Sequence, residues 1–273
     1  MTRLKWPAVL DHAAGIVRSY DTRVTLRQLF YRLVSDQTLP NTQTTYRSLS
    51  RATAEARRRD GFPDLLDRGS HVYQPLSWID PADLLTEQPR RFALDHTFGQ
   101  EYQIWLAIEK AGLVEQVSGW FSDRHFPVVP LGGYVSQSFA DDVRRRVEYD
   151  ERPAVLLYAG DWDPSGEDIE RDWIERTHCW AKSQRIALTE DQAISYGLPE
   201  NFGKPEDPRA DAFIEKYGRL AQIEVDALDP ETLHRLYEEA AAEFWDRYAF
   251  DQVLAEERWE RDRLAAFVSG WTQ

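Results

Sequence analysis

Apolar residues recur at helical spacing along the first 60 residues of the chain. Three segments have this spacing and are separated by turn-forming residues: 4–20, 25–35 and 42–60. A polar stretch at residues 61–70 and an apolar stretch at 72–79 follow them. Three helices with short connections and a following polar segment are typical of a winged helix-turn-helix, which we predict for residues 1–80.

Beyond residue 100 the pattern changes to short apolar runs that alternate with amphipathic segments. The apolar runs predict strands at 103–108, 127–131 and 154–159. The amphipathic segments predict helices at 113–123, 136–149 and 167–181. This alternation predicts a parallel sheet with helices on its faces, as in Rossmann-like folds. Residues 185–188 and 221–225 are candidates for further strands, and the charged segment 230–271 is predicted to be helical.

The fold class predicted by these patterns is α/β in two parts. Residues 1–80 form the winged-helix domain, and residues 101–273 form the domain with the parallel sheet and a C-terminal helical tail. The segment between them, residues 81–100, contains Pro81, Pro89 and Gly99 and is predicted to be a linker.

Composition narrows the class of protein. A hydrophobic fraction of 42% supports a folded core, and the single cysteine, Cys179, excludes an internal disulfide. The N-terminal 20 residues lack the uninterrupted apolar core of a signal peptide. No stretch approaches the roughly 20 apolar residues of a membrane span. We therefore expect a soluble cytoplasmic protein with no membrane partner.

The charge of the chain is unevenly distributed. Its net charge of −14 argues against nucleic acid, because Lys and Arg supply most non-specific affinity for DNA. Residues 1–75, however, contain 12 basic and 7 acidic side chains, a net charge of +5, which leaves −19 for the rest. The N-terminal part therefore remains a candidate for binding duplex DNA.

Basic side chains concentrate in the third predicted helix. The candidates for contact with DNA are Arg47, Arg51, Arg57, Arg58 and Arg59. On charge alone, a solvated helix face explains the same residues equally well.

Acidic residues follow two of the predicted strands. Glu109 ends the first strand, and Asp161 and Asp163 follow the strand at 154–159. In parallel sheets, ligands bind beyond the carboxyl ends of the strands. Residues two apart in an extended chain point to the same side, so the two aspartates are expected to converge while Trp162 points away. Carboxylate oxygens suit Mg²⁺, which makes these three residues candidate metal ligands.

One Asp-x-Asp is weak evidence for a metal site, because acidic loops are common. The combination of Glu109 with Gly132-Gly133-Tyr134 and the run from Asp161 to Gly166 is more specific. It resembles the Toprim domain of topoisomerases, primases and some nucleases, in particular the version in the A subunit of topoisomerase VI and its meiotic break-forming relatives. The alternative is a generic doubly wound domain with acids at its loop ends.

The resemblance implies that Glu109, Asp161 and Asp163 bind Mg²⁺, and that Glu109 is also a candidate for proton transfer. Glu224 and Asp226 follow another apolar run. They are candidates for additional ligands or supporting groups, and a solvated edge explains them as well.

The same family carries its nucleophile in a helical motif of the winged-helix domain, Arg-x-aliphatic-aromatic-Tyr. The run from Arg27 to Tyr31 matches this motif, so the resemblance implies that Tyr31 attacks DNA. The apolar stripe of this helix places Tyr31 about 130° from its centre, so we expect the tyrosine to lie outside the core. Arg27, four residues earlier, is a candidate for stabilising the phenolate and the phosphate.

The resemblance extends from about residue 25 to residue 228 and is nearest to the compact stand-alone proteins called Mini-A. It implies a homodimer that makes double-strand breaks in the manner of type IIB topoisomerases, through a 5′-phosphotyrosyl intermediate, close to the nucleoid. In this family the tyrosine of one protomer meets the metal of the other. The chain has no Gly-rich nucleotide site, so any ATPase is a separate subunit.

Two other functions fit the same residues. A Toprim nuclease hydrolyses DNA with metal-activated water and leaves Tyr31 structural. A non-catalytic regulator binds DNA through the winged helix alone.

Overall fold

Three helices form the N-terminal part of the chain in a computed structural model, which describes residues 5–59, 61–66, 74–201 and 207–271. They are α1 (Trp6–Ser19), α2 (Leu26–Ser35) and α3 (Gln43–Arg57). Each helix begins one or two residues after its predicted start, and α3 ends three residues before its predicted end. The three helices predicted from the sequence are therefore confirmed.

Local signals fix where these helices begin. The Thr25 side chain accepts a hydrogen bond from the backbone amide of Gln28, and the Gln28 side-chain oxygen accepts one from the backbone amide of Thr25, forming a capping box. The Thr42 side chain caps α3 by accepting a hydrogen bond from a backbone amide of the first turn. The buried faces share one core, which includes Ala13, Leu33 and Leu49.

The predicted wing is only partly within the described residues, because residues 67–73 lie outside them. The described parts on either side, 61–66 and 74–80, contain no strand, and Leu66 forms an isolated parallel bridge with Thr25. The assignment of a winged helix therefore remains a prediction.

The segment predicted to be a linker contains a helix, α4 (Pro81–Arg91). Proline is tolerated in the first turn, where the missing N–H has no partner to lose, so Pro81 does not prevent a helix. This helix packs against the long C-terminal helix α11 (Arg247–Trp271). Residues 81–91 are thus a docked element and not an extended connection.

The predicted parallel sheet is confirmed, with β1 (Gln103–Ile108), β2 (Val128–Pro130), β3 (Ala154–Ala159) and β4 (Trp180–Ala187). All pairings are parallel and the order is β2-β1-β3-β4. The central strands β1 and β3 are buried along their whole length. Between successive strands run α5 (Val114–Trp120), α6 (Gln137–Asp150) and α7 (Pro164–Thr177).

Two predicted boundaries in this region are wrong. The third sheet helix, α7, begins at Pro164, three residues early, because Asp163 caps it. It ends at Thr177, and β4 takes residues 180 and 181, which were predicted to be helical. The predicted strand at 221–225 is replaced by isolated bridges at Gln222 and Ile223 and a 3₁₀ turn, Val225–Ala227.

Two apolar cores cover the two faces of the sheet. One includes Leu106 and Leu157 and extends to the C-terminal helices, while the other includes Trp105 and Leu156. This division follows the alternation of side chains along a strand. The remaining helices are α8 (Glu190–Ser195), α9 (Ala210–Tyr217) and α10 (Pro230–Ala242).

Helix α2 packs directly on the sheet-containing part of the chain, against the 3₁₀ turn Val225–Ala227. The Gln28 side chain donates a buried hydrogen bond of 2.9 Å to Gln116 on α5. Gln116 in turn donates to the Arg23 carbonyl at 2.9 Å. These contacts hold α2 at the carboxyl end of the sheet. Across the described residues, no helix is both long and apolar enough to span a membrane.

Glu257 is expected to anchor α11 to the segment after α4. Its carboxylate accepts from the Leu94 amide at 2.8 Å and lies 2.7 Å from the buried His96 ring and 2.6 Å from Arg261. We predict that Glu257→Ala lowers the free energy of unfolding by about 2–3 kcal/mol, because it leaves buried polar groups unpaired. Denaturant unfolding measures this. Glu260→Ala, which loses only a pairing with Arg263, is the control, and an equal loss in both variants would contradict the prediction.

Candidate active site at the carboxyl edge of the sheet

The carboxyl ends of β1 and β3 lie side by side. Ile108 is in register with Ala159, and the Glu109 amide donates to the Ala159 carbonyl at 2.9 Å. The chain continues from β1 to one side of the sheet and from β3 to the other, so this is a topological switch point. Ligands of open α/β sheets bind at such points.

The structure brings the three predicted metal ligands together at this edge. The Asp161 amide donates to Glu109 Oε2 at 2.8 Å. Asp161 Oδ1 accepts from the Val225 amide at 2.9 Å, and Asp163 Oδ1 accepts from the Gly166 amide at 2.7 Å. All three carboxylates are buried. Trp162, between the aspartates, is buried against Phe213 and Tyr217, as the alternation of an extended chain predicts.

Gly166 is required by the close approach of this loop to α7. A Cβ atom at this position would lie 2.3 Å from the Asp161 carbonyl oxygen and 3.1 Å from Glu109 Oε2. The glycine that ends the Asp-x-Asp-Pro-x-Gly run is therefore required for packing.

Lys110 is a central residue of the site to which sequence reasoning gave no role. Its ammonium lies 2.5 Å from Asp161 Oδ2, 3.6 Å from Glu224 Oε2 and 4.0 Å from Glu109 Oε1. One cation thus partly neutralises three acids. The signal available in the sequence was its position next to Glu109.

Burial and crowding raise the pKa values of several acids at this edge. Burial, with the nearby Asp161 charge, raises the pKa of Glu109 to about 7. Burial also raises the pKa of Asp226 to about 6 and shifts that of Asp161 upward. Bringing such groups together disfavours their charged forms unless a cation is present.

The donor set suits a hard divalent cation, since it consists of carboxylates at one edge with a strongly negative environment. Among the residues that the structure describes, no three acidic, histidine or cysteine groups have their donor atoms arranged around one point. Asp161 is turned to Lys110, and Asp163 to the start of α7. The residues fit Mg²⁺ in chemistry, and binding requires them to reorient.

Tyr31 lies beside this edge and is buried, with 3% of its surface exposed. The expectation that it lies outside the core is wrong. Tyr31 belongs to the core that α1, α2 and α3 share, and its hydroxyl also contacts Asn201 of the sheet-containing part of the chain. The spacing of apolar residues identifies one buried face of a helix. It does not show whether other faces pack against a second part of the chain.

The phenol of Tyr31 is held by two amides that the sequence did not single out. Asn201 Nδ2 donates to the Tyr31 oxygen at 3.1 Å, and Asn41 Nδ2 donates to Asn201 Oδ1 at 3.0 Å. Burial raises the pKa of Tyr31 to about 12 with the help of the Glu224 charge, while Asn201 and Arg27 oppose the rise. No sequence signal marked these asparagines, because they meet only in the folded chain.

Arg27 links α2 to the acid cluster. Its Nη1 lies 2.9 Å from Glu224 Oε2, and its guanidinium lies 5.9 Å from the centre of the Tyr46 ring. The prediction that Arg27 shares an environment with Tyr31 agrees with their mutual electrostatic influence. Glu224, left open between a supporting group and a solvated edge, is buried in the cluster.

The five arginines predicted to contact DNA lie away from these acids, on and after α3. Arg47, Arg51 and Arg58 are exposed and fall within about 40° of one another on the helix. Arg59 is also exposed but pairs with Glu55 at 2.6 Å, and Arg57 is half-buried. The run of three arginines is therefore divided between different faces.

No protein-family model and no curated protein matches this chain.

The raised pKa values of Glu109 and Asp226 predict a stability that depends on pH. Unfolded carboxyls titrate near pH 4, so between about pH 4 and pH 7 the folded state holds more protons and these groups lose stabilising effect as pH rises. We predict that Glu109→Gln gains stability relative to the wild type across this interval, with a constant difference above about pH 7.

Denaturant unfolding of the metal-free protein at several pH values measures this difference. Glu148→Gln, at an exposed position of α6, is the control and is expected to follow the wild type. A constant difference between Glu109→Gln and the wild type over the whole range would mean that Glu109 titrates at its ordinary pH.

Proposed function

We propose that this chain cleaves duplex DNA by transesterification, as a Mg²⁺-dependent protein of the topoisomerase VI A-subunit type with a winged-helix part and a Toprim part. The observation that carries the proposal is the meeting of Tyr31 and Arg27 on α2 with the acids at the switch point of the sheet. The motifs of these two regions, far apart in sequence, lie at one place in the fold.

In the proposed reaction, the Tyr31 oxygen attacks a backbone phosphate and loses its proton. The bond from phosphorus to the 3′ oxygen breaks, this oxygen takes a proton, and a 5′-phosphotyrosyl link remains. The link conserves the phosphodiester bond energy, so religation requires no ATP. Two such events on opposite strands, one from each protomer of a homodimer, make a double-strand break of type IIB.

Arg27 stabilises the phenolate and the charge on the phosphate as the bond forms. Glu109, Asp161 and Asp163 hold Mg²⁺, and Glu109 is also the candidate for proton transfer. Bound Mg²⁺ supplies charge stabilisation at the phosphate and orients it. A protein of this kind, of the compact Mini-A type, works in the cytoplasm at the nucleoid, and any ATPase is a separate subunit.

The burial of Tyr31 has a mechanistic consequence. A phosphate reaches the phenol only after α2 separates from Glu224 and Asn201 of its own chain. The arrangement of the structure is therefore a closed state, and the resemblance implies that the tyrosine then meets the metal of the partner protomer.

The same burial favours one alternative, a Toprim nuclease that hydrolyses DNA with metal-activated water and uses Tyr31 only for packing. A covalent protein–DNA adduct separates the two, since hydrolysis leaves none. A non-catalytic DNA-binding regulator would also need the exposed arginines of α3. DNA cleavage that EDTA abolishes would exclude such a regulator.

We predict that Tyr31→Phe abolishes the covalent adduct and leaves DNA affinity within about twofold, because only the attacking oxygen is removed. The assay is a denaturing gel of protein incubated with labelled DNA and Mg²⁺. Tyr46→Phe removes the hydroxyl of a different tyrosine, on α3. This variant is the matched control and should retain the adduct. An adduct at the wild-type level in Tyr31→Phe would exclude Tyr31 as nucleophile.

A second prediction concerns the sharing of the site between protomers. Tyr31→Phe chains are mixed with Asp161→Asn/Asp163→Asn chains, each inactive alone. If sites form between protomers, the heterodimer has one intact site, so nicking of supercoiled plasmid should return with the adduct on the tyrosine-bearing chain. The absence of nicking by a verified heterodimer would mean that each chain forms its own site.

A third prediction concerns the exposed face of α3. Replacing Arg47, Arg51 and Arg58 with alanine should weaken DNA binding. It should also make the slope of log affinity against log salt concentration less steep by about two to three, since each phosphate contact contributes about 0.9 to that slope. Fluorescence anisotropy over a salt series measures this. The double variant Arg57→Ala/Arg59→Ala should have a smaller effect, and the reverse ranking would place DNA on another face.

A further inference from the structure

A single carboxylate oxygen lies between two cations from different parts of the chain. Glu224 Oε2 is 2.9 Å from Arg27 Nη1 on α2 and 3.6 Å from Lys110 Nζ after β1. Glu224 has 8% of its surface exposed, so this contact lies within the interface between the two parts. The two cations thus form a cradle for one anion.

The cradle lies between the two halves of the candidate chemistry. On one side, the Glu224 charge acts on the Tyr31 phenol. On the other side, Lys110 contacts Asp161 at 2.5 Å and approaches Glu109 at 4.0 Å. An anion held by Arg27 and Lys110 is therefore adjacent both to the tyrosine and to the carboxylates.

We propose that Arg27 and Lys110 form a phosphate-binding subsite, and that Glu224 occupies it in place of a DNA phosphate while the chain is closed. The inference rests on the proposed function for the identity of the anion as a phosphodiester. It gives Lys110 a role in binding and makes Glu224 an internal competitor of the substrate.

The chemistry of the three groups supports such an exchange. Carboxylate and phosphodiester are both anions with two oxygens that accept hydrogen bonds from a guanidinium, and an ammonium group donates to either one. Because Glu224 is tethered, it competes at a high effective concentration, which a phosphate tethered in a bound duplex can match.

Displacement of Glu224 also releases the hydroxyl group of Tyr31. Glu224 immediately precedes the 3₁₀ turn that packs on α2, and Asn201, which binds the phenol, pairs with Gln222 of the same segment. Moving this segment off α2 breaks the contacts to Arg27 and to Tyr31 together. Entry of a phosphate and release of the Tyr31 hydroxyl from Asn201 are thus one movement.

The first test uses inorganic phosphate and no DNA. Glu224→Ala empties the cradle and is expected to bind phosphate at least about fivefold more tightly than the wild type, the low end of coupling between linked sites. Isothermal titration calorimetry measures this. The double variant Glu224→Ala/Arg27→Ala should lose the gain. Lys110 is left in place, because its removal would leave the buried acids without a cation.

Glu115→Ala is the matched control. Glu115 also forms an ion pair between the two parts, 2.5 Å from Arg23, but its side chain is exposed. It should bind phosphate as the wild type does. Equal affinity of the wild type and Glu224→Ala, or an equal gain in Glu115→Ala, would overturn the subsite.

The second test uses duplex DNA in a Tyr31→Phe background, where no adduct forms. Adding Glu224→Gln, which keeps the size of the side chain and removes its charge, should tighten DNA binding by about fivefold or more. Unchanged or weaker binding would overturn the competition. A gain in phosphate affinity without any covalent adduct from the wild-type chain would keep the subsite and reject the proposed transesterification.

Discussion

Carboxylates crowd the carboxyl edge of β1 and β3, and the rest of the site depends on how their charge is balanced. Five acids are buried there, namely Glu109, Asp161, Glu224, Asp226 and Asp163. Burying an unpaired charge costs far more than one hydrogen bond returns, so each acid either keeps its proton or faces a cation or an amide. Lys110 faces three of them, and backbone amides of the adjoining loops face Asp161 and Asp163.

This balance also holds the two parts of the chain together. Arg27 comes from the basic N-terminal part and pairs with Glu224 of the acidic part, close to the buried pair of Gln28 and Gln116. A cation or a phosphate that enters the edge changes the charge which Arg27 and Lys110 balance. In the proposed function, binding of Mg²⁺ or of a DNA phosphate would therefore be energetically linked to the docking of α2.

The sequence predicted most of the sheet, because strands buried on both sides are continuous apolar runs with clear ends, as at 103–108 and 154–159. It also predicted that Glu109 and Asp161 meet, since parallel strands end at one edge. It did not predict the burial of Tyr31, the central position of Lys110 among the acids, or the contact of Asn201 with Tyr31, which depends on how α2 docks. Helix α4 was missed because its prolines suggested a linker, although proline is acceptable in the first turn.

The closed state does not weaken the case for Tyr31 as nucleophile, for an energetic reason. Burial and the Glu224 charge both raise the pKa of Tyr31, to about 12, which favours the protonated phenol near neutral pH. When the segment of Glu224 leaves α2, the contribution of its charge is removed, while Arg27, on the same helix as Tyr31, stays with it. The opened tyrosine thus keeps the group that stabilises its phenolate and loses the group that opposes it. In the proposed function, such an arrangement would limit DNA breakage, because the Tyr31 phenol would be activated only when an anion has replaced Glu224.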